Sequence, residues 1–254
     1  MITIKDKQSI QKMKTAGIFL VEILNDIKLL IKPGVNTLYL DRWIEEQLLK
    51  KEMISQSKGY CGYKHVSCIS LNDVVVHGVP SADIILKESD LVKVDVCASW
   101  QGYCADLARC YFVGEGDSDA KKLVAVAQSA LDKGIEMARV GNRLTDISSA
   151  IQQEVETHGY GIVRDFAGHG IGKSMHEAPE ILNYGKPGKG PLLKPGMAFA
   201  IEPMITMGKF DVYVTNDGWT VKTKDKSLAA HVEDTIVITE QEPLVLTRKN
   251  QGVQ

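Results

Sequence analysis

The sequence predicts an α+β fold made of two related αβ halves within a single domain, residues 1–254. Two observations predict it. Helical periodicity comes in two pairs of segments, 6–31 with 37–52 and 118–138 with 144–158, each followed by apolar runs of strand length. A glycine stop then repeats together with its surroundings. Lys32-Pro33-Gly34-Val35-Asn36-Thr37-Leu38 has a counterpart in Arg139-Val140-Gly141-Asn142-Arg143-Leu144, 107 residues later. The same interval sets Leu86-Lys87-Glu88-Ser89-Asp90-Leu91 on Leu193-Lys194-Pro195-Gly196-Met197-Ala198, and Asp95 on Glu202. The halves run over about 6–113 and 118–240. Two copies are too few for a solenoid and suit a duplicated unit with pseudo-two-fold symmetry.

The first helix carries Ile10, Met13, Ala16, Gly17, Leu20, Ile23, Leu24 and Ile27 at three- and four-residue steps, and Lys32-Pro33-Gly34 stops it. The second has Leu38, Leu40, Trp43, Ile44 and Leu48 as its apolar face. Residues 53–66 are polar and glycine-containing, a loop. Two short strands, 68–71 and 74–76, flank Asn72-Asp73 and end at His77-Gly78-Val79-Pro80. A hairpin over 90–113 turns at Gly102, with Asp95 on one strand and Asp106 on the other. Past the second helix pair come a glycine-rich stretch at 161–173, a Pro/Gly/Lys-rich loop at 185–196, and strands at 197–205 and 231–240. Glu233 follows Asp106 by 127 residues, so the second hairpin holds about 20 residues more than the first.

Composition excludes several classes. Apolar residues make up 44% and charged residues 24%, ordinary for a globular protein. The net charge of -2 argues for neither nucleic acid nor an anionic membrane. The first residues lack a signal-peptide core, and no apolar run is long enough for a bilayer. The five cysteines are an odd number with no C-x-x-C pair, which points to reduced thiols in the cytoplasm and away from cysteine-ligated zinc.

A strand of Leu, Val and Val has no packing use for an aspartate, and a buried carboxylate needs a partner. Taken singly, Asp95, Asp106, Glu202 and Glu233 are each strand-edge carboxylates. Brought together by the duplication they would repel and take up protons unless cations neutralised them. His169, in Phe166-Ala167-Gly168-His169-Gly170-Ile171-Gly172, is the candidate nitrogen ligand, its small neighbours allowing close backbone approach. Four carboxylates and one imidazole suit two divalent ions with bridging carboxylates, able to activate water and polarise a carbonyl. A structural calcium site would normally lack the histidine. His77 and His176 sit between strand ends and glycine or proline turns, where active-site loops occur. His65 and His231 lack that setting and read as surface or pocket-wall residues, and His158 as a helix C-cap.

Read together, several segments resemble type I methionine aminopeptidases of the M24 metallopeptidases. They are Asn72-Asp73-Val74-Val75-Val76-His77-Gly78-Val79-Pro80, the Asp95/Asp106 pair, Gly168-His169-Gly170-Ile171-Gly172, Met175-His176-Glu177, Ile201-Glu202-Pro203-Met204 and Asp217-Gly218-Trp219-Thr220. The resemblance runs from the first helix to about residue 240. It implies the pita-bread fold, with two pseudo-symmetric αβ halves, a central curved antiparallel sheet and helices on its outer face. It implies a monomer that removes the initiator methionine from nascent proteins when the second residue is small, with transient contact at the ribosome. By similarity Asp95 would bind one ion, Asp106 and Glu233 would bridge two, and His169 and Glu202 would complete the other. The ions could be Co, Mn, Fe(II) or Zn. Glu202 would also shuttle a proton, His77 and His176 would contact substrate and stabilise the tetrahedral intermediate, and Tyr60, Tyr63, Cys68 and Trp219 would form the methionine pocket.

A thioether needs an apolar cup, and aromatic faces with a thiol supply one. The chain departs from the family at Met175, commonly Phe, at Ser57, commonly Cys, at Asp234, often His, and at Leu107-Ala108, where Thr or Ser is usual. These changes touch pocket shape and the surroundings of the ligands. An Xaa-Pro aminopeptidase or prolidase of the same fold stands second, because those enzymes normally carry a separate N-terminal domain. A non-catalytic peptide-binding module stands third, because all five ligands are present.

Overall fold

The structure, a computed structural model, describes residues 2–248. Four helices, α1 (Lys7–Ile27), α2 (Thr37–Lys50), α3 (Ser118–Met137) and α4 (Leu144–Thr157), lie against a curved antiparallel sheet. A side chain closes the start of each helix, in α1, α2 and α3 on a free N–H of the first turn and in α4 on the N–H of the capping residue itself. Asp6 accepts from Ser9 N at 2.7 Å and Asn36 from Tyr39 N at 2.8 Å. Asp117 accepts from Asp119 N at 2.8 Å, and in α4 Asp146 reaches back to Arg143 N at 2.7 Å.

The central sheet runs, in order, Ile54–Ser55, Leu91–Trp100, Tyr103–Phe112, Glu233–Val237, Ala198–Ile201, Gly168–Gly170 and Glu177–Ile181. Alternation along its longest hairpin separates two environments. Val92, Val94, Val96, Ala98, Ala105 and Leu107 join α1 and α2 in one apolar cluster. Phe199, Ile201, Ile205, Val232 and Ile236 do the same with α3 and α4. The intervening residues of the hairpin, Asp95, Cys97 and Asp106 among them, line a cavity instead.

The two halves share their hydrogen bonding as well as their order. Asn36 bridges Ile85, and Arg143 bridges Leu192, each member of the second pair 107 positions after its counterpart. Leu86 N donates to Val35 O at 2.8 Å, and Leu193 N to Asn142 O at 2.9 Å, at the same interval. Gly34 and Gly141 both take positive φ, 88° and 94°, after the first helix of each pair. The seam is Tyr103–Phe112 against Glu233–Val237, where Glu233 faces Ala108 and Asp234 faces Leu107.

Several elements differ from expectation. The first helix stops at Ile27 and passes into a turn. The loop at 53–66 contains a short strand, Ile54–Ser55, and a 3₁₀ turn, Tyr60–Gly62. The strand expected over 197–205 is two strands in different sheets, Ala198–Ile201 and Met204–Thr206. Pro203 has no N–H to continue the ladder, and the Glu202 carbonyl accepts from the Asn183 side chain at 3.0 Å. The stretch at 231–240 likewise divides into Ala229–His231 and Glu233–Val237. The longer second hairpin holds a further antiparallel pair, Val212–Val214 with Val221–Thr223, that carries Trp219 on its turn. Among the described residues no helix is long and apolar enough to cross a membrane.

Gly17 lies inside α1, where alanine is intrinsically favoured by about 1 kcal/mol. Here an added Cβ would overlap the Leu246 carbonyl oxygen and press on Thr247. Backbone cannot move aside as a side-chain tip can, so Gly17→Ala should destabilise the fold by roughly 1–3 kcal/mol. Urea denaturation reads this directly; a stabilised variant would contradict the helix-to-C-terminal-segment contact.

Candidate metal centre and substrate pocket

One cavity of about 120 Å³ is lined by all eleven candidate site residues and by Ser57, Cys97 and Met175. Asp95 comes from the middle of Leu91–Trp100 and Asp106 from the antiparallel neighbour. Glu202 stands just past Ala198–Ile201, and Glu233 begins Glu233–Val237. Asp106 is held from across the seam, its N–H donating to Thr235 Oγ1 at 2.8 Å and its carbonyl accepting from the same hydroxyl at 2.9 Å.

His169 lies on Gly168–Gly170 between two strands. An added Cβ at Gly168 would overlap the Ala200 carbonyl, and one at Gly170 the Ala178 carbonyl, so the flanking glycines permit this approach. Its Nδ1 donates to Gly170 O at 3.0 Å, which leaves Nε2 bare. That nitrogen is 3.8 Å from Asp106 Oδ2 and 3.5 Å from Glu202 Oε1.

Burial pushes the Asp95 and Glu233 carboxyls well up, and the neighbouring Asp106 charge adds to it. Burial pushes Glu202 up to about 8 although His169 opposes the shift. Among the described residues no lysine or arginine lines the cavity to offset this crowding. Glu233 Oε1 is buried without a hydrogen-bond partner. Ligand atoms of Asp106, His169 and Glu233 lie within 4.8 Å of one another. A hard-oxygen set with one bare imidazole nitrogen and an orphaned carboxylate oxygen fits a divalent cation.

The apolar end of the cavity has its own supports. Tyr63 is buried, donates from its hydroxyl to Ser67 O at 2.9 Å, and packs against Trp219 with ring centroids 4.9 Å apart and planes tilted by 59°. Asp41 of α2 organises the loop behind it, Oδ1 accepting from Val66 N at 3.1 Å and Ser67 N at 3.0 Å, with Oδ2 2.9 Å from His65 Nδ1. Asp217 Oδ1 accepts from Trp219 N and Thr220 N, both at 2.8 Å, and so fixes the turn that presents the indole.

The two candidate catalytic histidines are held differently. His176 is the exposed one, with Nδ1 3.1 Å from the Tyr60 hydroxyl and its ring 4.5 Å from that of His169. The turn before it is tied by Glu177, which accepts from Lys173 N at 2.9 Å and Lys5 Nζ at 2.8 Å. His77 takes φ +57°, a left-handed conformation that costs on the order of 1 kcal/mol, and packs edge-on to Phe166 at 5.4 Å. Burial lowers its pKa to about 4, so it is neutral near pH 7.

Sequence reasoning missed three participants. Cys97 faces Asp106 across the hairpin and lines the cavity. Lys93 is fully buried and donates to Asn72 O at 2.9 Å and Ala229 O at 3.0 Å, tying the turn before His77 to a strand of the other half. His231, read as a surface or pocket-wall residue, is buried with Nε2 3.4 Å from Glu202 Oε2. Each lies two residues from a candidate ligand on extended chain, the spacing that puts side chains on one face. Asp234 is buried on a different set of contacts, with Arg109 and Arg248 each at 2.6 Å.

Known proteins resemble this one over nearly the whole chain. The model of metallopeptidase family M24 matches residues 11–240. A methionine aminopeptidase of Clostridium acetobutylicum is 47% identical over 247 residues, 97% of this chain and 99% of that protein. The crystal structure of methionine aminopeptidase from Thermotoga maritima superimposes with a TM-score of 0.96 at 44% identity, covering 98% of this chain and all of that one. A prolidase from Pyrococcus furiosus shares the fold at a TM-score of 0.76 and 24% identity, this chain covering 66% of it. The family match over most of the sequence and the near-complete relative together establish that the chain belongs to metallopeptidase family M24.

Proposed function

We propose that this chain removes the N-terminal methionine of proteins whose second residue is small, with two divalent ions held by Asp95, Asp106, His169, Glu202 and Glu233. The observation that carries the reading is a small cup walled by Tyr60, Tyr63, Cys68, Met175 and Trp219 that opens onto four carboxylates. At about 120 Å³ the cavity has the scale of one side chain rather than of a whole drug-sized ligand. Aromatic faces and soft sulfur atoms suit a thioether. The methionine aminopeptidase relatives support the same substrate.

Divalent ions supply Lewis acidity that polarises a carbonyl and activates water. Mn, Fe(II), Co and Zn are all compatible with this donor set. The chain's own residues do the rest. Asp95, Asp106 and Glu233 would hold the ions and set the positions of charge. Glu202 takes a proton on a carboxylate oxygen and returns it to the departing amine, the general acid–base work of a positioned carboxyl. With Nδ1 engaged by the Tyr60 hydroxyl, His176 can present Nε2–H to the scissile carbonyl, and His77 lines the cavity as a neutral partner. Tyr63 and Trp219 exclude water from the side-chain cup. Nascent chains in the cytoplasm, met transiently at the ribosome by a monomer, are the substrates this reading requires, and five unpaired thiols accord with a reducing compartment.

Proton linkage supplies one test. The site carboxyls hold protons in the metal-free protein above the usual carboxylate range. Below about pH 6.5, the unfolded histidine value, His77 and His231 offset the carboxyls because burial lowers them to about 4; from there to about pH 8, the folded value for Glu202, the folded state binds more protons than the unfolded one. Stability of metal-free protein should fall as pH rises through that window, and divalent ion should restore it. Binding should release protons near pH 7, seen by calorimetry in buffers of different ionisation enthalpy; pH-independent binding without proton release would refute the charge account.

Substrate supplies the other. Glu202→Gln should lower kcat on a Met-Ala-Ser peptide by about 10²–10⁴-fold. Near wild-type turnover by that variant would remove Glu202 from proton transfer. Preference of the wild type for a Met-Pro dipeptide over Met-Ala-Ser would shift the reading to a prolidase-like enzyme.

A further inference from the structure

We propose that His231 is a positioning residue that sets the orientation of Glu202, by donating a hydrogen bond from Nε2 to Oε2 and so reserving Oε1 for the cation side of the site. The inference rests on the metal-dependent reading of Glu202 and deepens it.

His231 ends the strand Ala229–His231 and lies directly across from Met204, two residues past Glu202. Its backbone is fixed by that pairing and by Cys110 Sγ, which donates to the His231 carbonyl at 3.3 Å. The side chain is buried, and Nε2 lacks a hydrogen-bond partner. What it faces is Glu202 Oε2, at 3.4 Å. A buried ring nitrogen without a partner is costly, and a few tenths of an ångström of closure turns this contact into a hydrogen bond. An imidazole carries an N–H on at least one nitrogen, and the position of Glu202 Oε2 assigns it to Nε2.

The opposite side of the same carboxylate completes the argument. Glu202 Oε1 faces His169 Nε2 at 3.5 Å. That nitrogen is bare, because Nδ1 carries the proton donated to Gly170 O. Two acceptors facing each other need a proton or a metal cation between them, whereas the His231 side needs neither. Glu202 is thus held between two imidazoles of opposite character, a donor behind Oε2 and an acceptor before Oε1. Without the donor the carboxylate can rotate about its terminal torsion, which is soft. A conformer turned away from His169 loses both ion binding and proton transfer.

Glutamine and asparagine variants separate this role from packing. A Gln amide can place a donor near Nε2 of the replaced ring, while an Asn amide reaches only about as far as Nδ1. Both keep a polar group in the same buried site, so the pair remains informative even where His231→Leu fails to fold. Calorimetric titration of the metal-free proteins with Mn²⁺ should show His231→Gln within about three-fold of wild type for the weaker-binding ion. His231→Asn and His231→Leu should lose about 10- to 100-fold, the usual effect of removing a group that orients a ligand. On a Met-Ala-Ser peptide at saturating Mn²⁺, kcat should follow the same order with KM within two-fold. Equal Mn²⁺ affinity for the Gln and Asn variants, or wild-type affinity in His231→Leu, would overturn the proposal. A wild type that binds Mn²⁺ and shows the Gln/Asn difference, yet hydrolyses no methionyl peptide, would instead sink the peptidase reading and leave the positioning role standing.

Discussion

Mutual repulsion of four carboxylates at one seam is the constraint that the rest of the fold answers to. Each half brings two, and neither half alone could close a site around an ion. Burial and like charge both favour protonation, so in the absence of a cation the assembled site is held against its own electrostatics. Cooperative pairing elsewhere supplies the hold. Thr235 grips the Asp106 backbone from the opposite half, and Lys93 links a turn of the first half to a strand of the second through two carbonyls. On the far side of the seam the buried Asp234 gathers Arg109 and Arg248, fastening the C-terminal segment to the strand that begins with Glu233. The helices, by contrast, touch the site only through the apolar face of the sheet or through single side chains such as Asp41. Rigid apolar packing behind the sheet thus keeps charged groups in place before it.

What the sequence made legible follows from what is periodic or repeated. Helix pairs, the Asp95–Asp106 hairpin and the 107-residue repeat are local patterns, and the structure places them with boundaries shifted by a few residues. Short strands such as Gly168–Gly170 and Val212–Val214 carry too few residues to show a period, and they exist because neighbouring strands supply their hydrogen bonds. The break at Glu202-Pro203 was readable from the proline, which cannot donate to a ladder. The pattern of apolar residues on both sides concealed it. Lys93 and His231 were harder. A lysine between valines reads as a strand-edge charge, and nothing local announces that two carbonyls from distant segments converge on its ammonium group. For His231 the useful signal was its place two residues before Glu233, yet its relation to Glu202 exists only after the second hairpin has folded back.

Departure from symmetry is where the duplicated halves divide their labour. Asp95 sits within a continuous ten-residue strand, paired on both sides, with Cys68 across one edge and Ala108 across the other. Its equivalent, Glu202, stands at the point where the second-half strand leaves the central sheet, relieved of ladder pairing by Pro203. A carboxylate on a fully paired strand has a fixed origin and needs only the reach of aspartate. One at a strand break starts from a backbone that has turned away, and the extra methylene of glutamate restores the distance while adding a soft torsion. That torsion suits the role proposed for Glu202, facing an ion and moving a proton, and it creates a need for something to hold the carboxylate still between those tasks. The neighbours of Glu202, with His169 on one oxygen and His231 on the other, answer that need, whereas the crowded strand around Asp95 leaves no such freedom to restrain.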